Sequence, residues 1–317
     1  MKILITGIAG FTGSHLADLL LTKKGVKVFG LEHPSACADN IKHIRRHISY
    51  HKCDMLNRRS LDTLLGKIKP DAVFHLAGHT ATNLSGYEER KTIEVNISSQ
   101  LNLLESLQNN GIRARIIIPG SCHEYGLAKE KGLLKKETTE LRPIGAYAVS
   151  KVGQDAFGHL YHKSYGMDIV RARLFNITGP RRDKRFVCSD FARQIALIEQ
   201  NKQSPLLSVG NLGTKRDFTD VRDLARAYWL LIKRGRSGEV YNICSGKVFP
   251  ITSILEMLLL LTECKIDISI KKKRLREKEA MVFMGDNSKI KRLGWKPNIS
   301  LENTLSDIIN YWREALK

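Results

Sequence analysis

The chain opens with Met1-Lys-Ile-Leu-Ile-Thr-Gly-Ile-Ala-Gly-Phe-Thr-Gly13, and this stretch decides the fold. The run Ile3-Leu4-Ile5 is continuously apolar, which is typical of a parallel strand that is buried on both faces. Three glycines follow in the spacing G-x-x-G-x-x-G, and residues 14–21 have the pattern of an amphipathic helix. A strand, a glycine-rich turn and a helix in this order are a variant of the dinucleotide-binding fingerprint.

The three glycines have separate tasks in such a turn. Gly7 allows the tight change of direction, Gly10 lets the backbone approach a pyrophosphate, and Gly13 lets helix and strand pack closely. The pyrophosphate would lie at the helix N-terminus, where free N–H groups and the helix dipole favour an anion. We therefore expect a nicotinamide dinucleotide to bind at Gly7, Gly10, Phe11, Thr12 and Gly13.

An acidic residue ends the next predicted strand, Lys27–Leu31. Glu32 stands about twenty residues after the glycines, where a carboxylate accepts hydrogen bonds from the adenosine ribose. Because a carboxylate repels a 2′-phosphate, Glu32 favours NAD over NADP. The neighbouring basic residues His33, Arg45 and Arg46 would suit that extra phosphate, so NADP is the alternative.

Asp54 has two interpretations. It follows the stretch Ile48–Cys53 and is a candidate for contact with the adenine edge. It would equally serve as the N-cap of a helix over Leu56–Ile68, since aspartate is a favoured capping residue.

A second motif far downstream, Tyr147-Ala-Val-Ser-Lys151, supplies groups for proton transfer. Tyr147 and Lys151 are four residues apart on a predicted helix and therefore share a face. A tyrosine has a pKa of about 10 in water, and we expect the Lys151 ammonium and the positive cofactor ring to stabilise its phenolate. Ser121 follows the strand Arg115–Pro119 at its carboxyl end, where its hydroxyl would hold the reacting carbonyl or hydroxyl group. A Tyr-x-x-x-Lys pair alone is common on helix surfaces, but together with Ser121 and the glycines we interpret it as catalytic.

Composition indicates one compact, reduced enzyme. The 317 residues, 42% of them hydrophobic, suffice for a large core. We expect neither a signal peptide nor a membrane span, because the first strand begins at residue 3 and the longest apolar stretch, Met257–Leu261, is too short to cross a bilayer. The six cysteines include no Cys-x-x-Cys pair and no zinc spacing, so we expect no metal site and a cytoplasmic protein.

The formal net charge of +20 raises the question whether the protein binds nucleic acid. The basic residues are spread along the chain without a recognisable nucleic-acid-binding motif, and the densest run is Lys271–Arg276. We expect most of this charge to be solvated, part of it to face a doubly anionic substrate, and no nucleic-acid partner.

Strands and helices alternate up to about residue 180, which predicts an α/β fold with a Rossmann-type doubly wound parallel sheet. We divide the chain into a dinucleotide-binding domain, 1–179, and a smaller α/β substrate-binding lobe, 180–317, whose late segments return to the first domain. The predicted strands are Ile3–Thr6, Lys27–Leu31, Ala72–Leu76, Arg115–Pro119 and Asp168–Arg173. The predicted helices include Thr92–Gln108, Tyr147–Tyr165, Ser189–Glu199, Val221–Lys233 and Ile251–Leu261.

The chain resembles the extended short-chain dehydrogenase/reductases, the NAD-dependent epimerase/dehydratase family, nearly from end to end. Within that family it is most similar to the group of GDP-mannose 4,6-dehydratases and GDP-4-keto-6-deoxymannose reductases. The blocks that carry the general resemblance are Phe74–Gly78, Gly120–Gly126, Leu174–Pro180 and Arg216–Asp223. The blocks that carry the narrower one are Val209–Asp220 and Ser237–Gly246, both similar to the reductases, and Leu275–Glu279, Gly285–Lys289 and Leu293–Pro297.

This resemblance implies an enzyme that acts at C4 of a nucleotide-linked sugar, with further binding residues in both halves of the chain. The cofactor would also contact Asp54, Met55, Leu76, Ala77 and Gly78. The resemblance also implies a GDP-linked sugar, whose diphosphate and ribose would be bound by Asn176, Arg216, Arg276 and Glu279. Arginines fork onto phosphate, and a carboxylate accepts from paired ribose hydroxyls.

One position departs from the dehydratase pattern. Dehydratases usually carry a Glu two residues after the catalytic Ser or Thr, and here Cys122 and His123 follow Ser121. Removing water across C5–C6 needs a base and an acid, and His123 suits both roles near neutral pH. Glu124 is the second candidate if the turn is shifted by one residue. The departure also fits an enzyme that only moves a hydride at C4.

Several readings therefore remain, with the 4-keto-6-deoxyhexose reductase slightly ahead of a 4,6-dehydratase and a 4-epimerase. From another class, a non-catalytic NAD(P)-sensing protein has the same fold. Reductases often use NADPH, which conflicts with the preference for NAD that Glu32 indicates.

The family pairs subunits through helices that correspond to Ile97–Gln108 and Ala148–Tyr165, so we expect a homodimer or a dimer of dimers. Leu101, Leu104 and Phe157 would face the partner or the monomer's own core.

Overall fold

The fold is an α/β structure, seen in a computed structural model that describes residues 1–79, 86–126, 134–271 and 282–317. Its strands are β1 Lys2–Thr6, β2 Lys27–Glu32, β3 Ser49–Lys52, β4 Ala72–His75, β5 Arg115–Ser121, β6 Ile169–Leu174, β7 Asn176–Thr178, β8 Leu206–Val209, β9 Lys215–Asp220, β10 Val240–Ile243, β11 Val248–Pro250, β12 Asp267–Ile270 and β13 Val282–Phe283. Its helices are α1 Phe11–Leu21, α2 Arg58–Ile68, α3 Gly86–Asn109, α4 Ala146–Tyr165, α5 Val187–Glu199, α6 Val221–Arg234, α7 Ile251–Leu259, α8 Ser288–Arg292 and α9 Leu301–Ala315. Two 3-10 helices span Asp39–His47 and Cys122–Tyr125.

The central sheet has seven strands in the order β10-β6-β5-β4-β1-β2-β3, and every neighbouring pair is parallel. The position of β1 in the sheet explains why its sequence is continuously apolar and does not alternate with polar residues. Ile3 and Ile5 pack into a core on the side of α1 and α6, whereas Leu4 packs into a second core on the side of α2, α3 and α4. A strand covered by helices on both faces has no polar side, as the opening stretch predicts.

Two elements from the second part of the chain, β10 and α6, join the structure formed by the first part. Strand β10 and helix α6 follow residue 179, yet β10 pairs with β6 at one end of the central sheet and α6 packs against α1. A separate core is formed by α5, α7, α9 and β8. Smaller sheets, β11-β9-β13 with β7 and the pair β8-β12, complete the second part. The Rossmann-type sheet is therefore confirmed, and the division into 1–179 and 180–317 remains our proposal.

The expected helices and strands are present, with shifted ends. Ser121 is the last residue of β5 rather than a residue beyond it. The N-cap interpretation of Asp54 is wrong, because Asn57 caps α2 by accepting a hydrogen bond from the Ser60 N–H. Asp54 instead accepts from the Leu56 N–H in the preceding turn.

The residues considered for a subunit interface divide between core and surface. Leu104 is fully buried, and Leu101 and Phe157 pack partly buried against the same core. Exposed apolar side chains on α3 and α4 are Tyr87, Ile93, Val149, Leu160 and Tyr165.

Two general features concern membrane-spanning helices and cysteine pairing. No helix in the described part of the chain is long and apolar enough to span a bilayer. The six cysteines, all within the described residues, are unpaired.

Candidate active site

The glycine turn between β1 and α1 has the geometry that its sequence predicts. Gly7 has a φ of +67°, and a Cβ there would lie 2.9 Å from the Ala77 backbone. A Cβ on Gly13 would lie 2.3 Å from the Gly7 carbonyl oxygen, so only glycine lets α1 pack this closely on the turn. Helix α1 begins after Gly10 without a side-chain cap. Its first N–H groups, which include those of Phe11 and Thr12, therefore remain available to an anion.

Glu32 lies at the end of β2, beside this turn. Its Oε2 accepts from the Ala9 N–H at 2.8 Å, and its Oε1 accepts from the His33 N–H at 3.1 Å. Partial burial raises the pKa of Glu32, while these two hydrogen bonds oppose the rise. A carboxylate has about four acceptor positions, so both oxygens can accept further hydrogen bonds from a ribose. The Arg45 guanidinium stacks on the Tyr50 ring at 3.7 Å from its centroid.

The remaining cofactor candidates line the same edge of the sheet. Asp54 and Met55 follow β3, and Leu76, Ala77 and Gly78 follow β4. The Ala77 N–H donates to Thr6 Oγ1 at 3.0 Å, which ties the ends of β1 and β4 together. The carboxyl ends of four adjacent parallel strands thus bring all these residues to one crevice, the usual ligand site of such sheets.

Ser121, Tyr147 and Lys151 come together at the carboxyl end of β5. Ser121 ends that strand, and Tyr147 lies in the first turn of α4. The Ser121 side chain hydrogen-bonds the Tyr147 phenol. Lys151 Nζ lies 5.9 Å from the centroid of the Tyr147 ring and donates to the Pro119 carbonyl at 3.0 Å.

The electrostatics of Tyr147 differ from our expectation. Burial raises the pKa of Tyr147 to about 12, against the opposing effects of the Ser121 hydrogen bond and the Arg182 charge. Lys151 is itself buried, which lowers its pKa to about 8. Its ammonium is directed to Pro119 and, at 2.8 Å, to Gln154 Oε1. Burial thus favours the protonated form of the Tyr147 phenol.

His123 and Glu124 point in opposite directions from one short 3-10 helix. The exposed His123 ring lies 6.2 Å from the Tyr147 ring and 5.5 Å from Phe283, between centroids. Glu124 is fully buried, and its Oε1 accepts from the Ser121 N–H at 2.5 Å. Its Oε2 lies 3.0 Å from Arg173 Nε. The Glu124 carboxylate is thus engaged by the Ser121 turn and Arg173, whereas His123 is exposed beside Tyr147. Of the two, burial and contacts favour His123 as the candidate acid or base, and its role stays a prediction.

The substrate candidates lie beside His123. Arg216 on β9 stacks near Phe283, 5.7 Å from the ring centroid, so it shares this aromatic neighbour with His123. Asn176 on β7 donates to the Asp217 carbonyl at 3.1 Å, which places it next to Arg216 on paired strands. Arg276 and Glu279 lie outside the described residues.

Sequence reasoning missed Arg182. Its guanidinium carbon lies 3.5 Å from the Phe186 ring centroid and 4.7 Å from that of Phe11, the first residue of α1. Desolvation lowers the pKa of Arg182 to about 10. Its buried Nε has no hydrogen-bond partner among the described residues. A desolvated guanidinium beside the glycine turn suits a bound phosphate, and the only sequence signal was a pair of arginines after Pro180.

The polar support beneath α4 was missed as well. Asn96 Nδ2 donates to Ser150 Oγ at 2.9 Å, and Gln154 Nε2 donates to the Asn96 carbonyl at 2.9 Å. Because Gln154 also accepts from Lys151, this network fixes the lysine from α3. Asn96 and Gln100, four apart on α3, were the available signal, since polar residues at helical spacing can line a buried face.

Comparison with known proteins agrees with this geometry. The family model described as GDP-mannose 4,6 dehydratase matches residues 4–308. The chain is 31% identical to a GDP-6-deoxy-D-mannose reductase of Pseudomonas aeruginosa over 100% of this chain and 98% of that protein. It is 28% identical to a GDP-mannose 4,6-dehydratase of Yersinia enterocolitica, covering 97% and 92%. A solved structure of RMD from Pseudomonas aeruginosa complexed with NADPH superposes with a TM-score of 0.87 at 30% identity, covering 99% of both chains. The chain therefore belongs to the GDP-mannose 4,6-dehydratase family, whose members are enzymes of the short-chain dehydrogenase/reductase type.

Proposed function

We propose that the protein is a nicotinamide-dependent reductase of a GDP-4-keto-6-deoxyhexose. The observation that carries this proposal is the placement of Ser121, Tyr147 and Lys151 together at the carboxyl end of β5. Burial favours the protonated phenol of Tyr147, which is the form that donates a proton to a newly formed alkoxide. The whole-length similarity to a GDP-6-deoxy-D-mannose reductase supports the same reaction.

The residues present fit a dinucleotide cofactor. A Cβ at Gly13 would clash with the Gly7 carbonyl oxygen. The N-terminus of α1 has no side-chain cap, so its N–H groups can bind an anion. Gly7, Gly10, Gly13 and Arg182 would hold the pyrophosphate, and Glu32 the adenosine ribose. The nicotinamide, when bound, would supply the hydride to C4 of the sugar. The Glu32 carboxylate supports NAD as the preferred form, with NADP as the alternative.

The protein's own groups complete the reduction. The Ser121 hydroxyl, beside the phenol, positions the carbonyl oxygen. Tyr147 donates its proton to that oxygen as the C4 carbonyl becomes an alcohol. The ammonium of Lys151 and the guanidinium of Arg182 stabilise the phenolate that remains. Asn176 and Arg216, with Arg276 and Glu279, would bind the sugar diphosphate and its ribose.

A second candidate function is that of a GDP-mannose 4,6-dehydratase. The observation that favours it is the exposed His123 ring at 6.2 Å from Tyr147, which faces the site where a dehydratase needs its acid and base. In that reaction His123 would remove the C5 proton and protonate the leaving hydroxyl.

One experiment separates the two functions. The protein is denatured, and the released nucleotides are identified by mass spectrometry. Turnover of GDP-mannose and of GDP-4-keto-6-deoxymannose is then measured with each cofactor. A reductase is expected to consume only the keto sugar, with stoichiometric oxidation of added reduced cofactor. Retained NAD and conversion of GDP-mannose without net cofactor turnover would instead establish the dehydratase.

The His123→Gln variant sharpens this assignment. Glutamine keeps a polar side chain of similar reach but cannot shuttle a proton. A reductase is expected to keep its kcat, whereas a dehydratase would lose about 10²–10⁴-fold. Lost reductase activity in His123→Gln would contradict the proposed proton route through Tyr147.

We also propose that two copies pair through α3 and α4. The exposed apolar side chains of Val149 and Leu160 lie on α4, where a partner would cover them. Light scattering of Leu160→Lys is expected to give a monomer if the wild type is a dimer. A wild-type monomer would overturn the proposal.

A further inference from the structure

A cavity of about 540 Å³ lies at the end of the sheet opposite the candidate active site. It is bounded by the end of α1, the second half of α6 and the turn at residues 294–298. Arg115 at the start of β5 donates to the Ile232 and Gly235 carbonyls, so the end of α6 lies at the amino-terminal edge of the sheet. The glycine turn and Ser121 lie at the carboxyl-terminal edge. The cavity is therefore separate from the site described above.

The floor of this distal cavity is apolar and aromatic. Leu19, Leu230 and two tryptophans line it. Trp295 is buried and donates from Nε1 to the Asp223 carbonyl at 3.0 Å, which fixes its ring. Trp229 is half-buried, so part of its indole is accessible. The accessible part of the Trp229 indole offers flat surface for a planar ring.

The rim of the distal cavity is cationic. Four basic side chains line it, the partly buried Lys23 and the exposed Lys233, Arg234 and Lys296. Lys233 Nζ lies 4.8 Å from the Trp229 ring centroid, so charge and aromatic surface are adjacent. Within the described ranges of the chain, no carboxylate forms an ion pair with any of the four.

The Asp223 carboxylate on α6 does not neutralise this rim. Asp223 is fully buried, where it pairs with Arg226 and accepts from the Asn298 and Ile299 N–H groups at 2.9 and 3.0 Å. Its charge is thus taken up inside the protein. The rim retains a net positive charge that favours an anion.

We propose that the distal cavity binds a nucleoside diphosphate, with its base on the tryptophan floor and its phosphates at the cationic rim. An inorganic anion would use the rim but leave the aromatic floor without a role. The volume lies within the range of about 300–1,000 Å³ that is usual for small-molecule sites. A second nucleotide site, remote from the catalytic residues, would let a nucleotide act on the enzyme without occupying its active site.

The test is the number of GDP molecules bound per chain, measured by isothermal titration calorimetry at physiological salt. The double variant Lys233→Glu/Lys296→Glu changes only exposed rim residues, so folding is not at risk. It is expected to bind one equivalent of GDP fewer than the wild type. A matched control, Lys67→Glu/Lys265→Glu, alters net charge equally at exposed positions away from the cavity and is expected to bind like the wild type.

Two results would overturn the proposal. One is an equal number of bound GDP molecules in the wild type and the rim variant. The other is inorganic diphosphate binding at this site as tightly as GDP, because we expect the packed base to improve affinity by about tenfold or more. The proposed substrate site accounts for a separate bound GDP, which the rim variant is expected to keep. Loss of that GDP would therefore contradict the proposed function and not the distal site.

Discussion

Among single residues, Tyr147 permits the sharpest test. Tyr147→Phe removes the hydroxyl that donates the proton and leaves the ring in place. We expect kcat to fall by about 10²–10⁴-fold, while the dissociation constant of the cofactor stays unchanged. Steady-state kinetics and a fluorescence titration measure the two quantities. The matched control is Tyr165→Phe on the exposed end of the same helix, which should keep full activity. Full activity in Tyr147→Phe would point to a binding protein or another proton donor.

We expect Glu32, also a single residue, to set the choice between NAD and NADP. Because its carboxylate lies beside the glycine turn, we expect NAD to bind more tightly than NADP. Glu32→Gln keeps an oxygen to accept from the Ala9 N–H but removes the negative charge. The preference for NAD is expected to fall by about tenfold, equivalent to about 1.4 kcal/mol of removed repulsion. Tighter binding of NADP by the wild type, measured in the same titrations, would reject this role of Glu32.

The sequence predicted the local geometry of residues that lie close together along the chain. The glycine turn and the Tyr147–Lys151 pair each lie within one turn of chain, so spacing alone determines their relation. It could not decide between His123 and Glu124, because adjacent residues of a short 3-10 helix face different ways. Only the packing of β6 beneath the turn, through Arg173, shows which one is buried. The same limit applies to Arg182, whose aromatic neighbours Phe11 and Phe186 are brought together only by the fold.

At the scale of elements, a buried ionic cluster joins the Ser121 turn to helix α4. Glu124 and Asp155, the latter on α4, both face Arg173 on β6, at 3.0 and 2.8 Å. Burial first, and the Asp155 charge second, raise the pKa of Glu124 from 4.5 to about 7. The folded protein therefore holds this proton more tightly than the unfolded chain. The stabilisation is complete below pH 4.5 and is lost as the pH rises through 7.

The expected consequence is a stability that declines between these two pH values. A shift of this size corresponds to about 3 kcal/mol, taken as an order of magnitude. Glu124→Gln removes the titrating group, so its melting temperature should depend less on pH than that of the wild type. Thermal melts at several pH values between 4.5 and 8 measure this difference. The exposed Glu263→Gln serves as control, and identical pH dependence of Glu124→Gln and the wild type would reject the account.

Helix and strand positions were predicted well where one pattern ran through a whole element, as the helical periodicity does in α4 and the continuous apolar run does in β1. The ends were less predictable, since they depend on capping partners: Asn57 rather than Asp54 begins α2. The return of β10 to the central sheet was anticipated only in outline. A four-residue strand gives little periodic signal, and its place beside β6 depends on contacts distant in sequence.

For the whole molecule, the two parts are expected to fold only together. The core on the α1 side of the sheet includes eleven buried residues from beyond position 179, among them Leu224, Tyr228 and Trp295. A fragment of residues 1–179 lacks them and would expose the apolar side chains that they cover, at a cost of more than about 10 kcal/mol, since each large apolar side chain contributes about 1.5–3 kcal/mol. That loss is comparable with the entire stability of a typical domain, about 5–15 kcal/mol. The fragment would also leave the edge of β6 unpaired where β10 now lies.

We therefore expect the fragment 1–179 to show no cooperative thermal unfolding and no cofactor binding, although it contains the complete glycine turn and Tyr147. Circular dichroism and a dye that binds exposed apolar surface would measure both defects. Co-expression with the fragment 180–317 supplies α6 and β10 in trans and is expected to restore a cooperative transition. A fragment 1–179 that melts cooperatively and binds the cofactor alone would show that the boundary at 179 separates independent domains. In that case α6 and β10 would serve to dock the substrate-binding lobe rather than to complete the core.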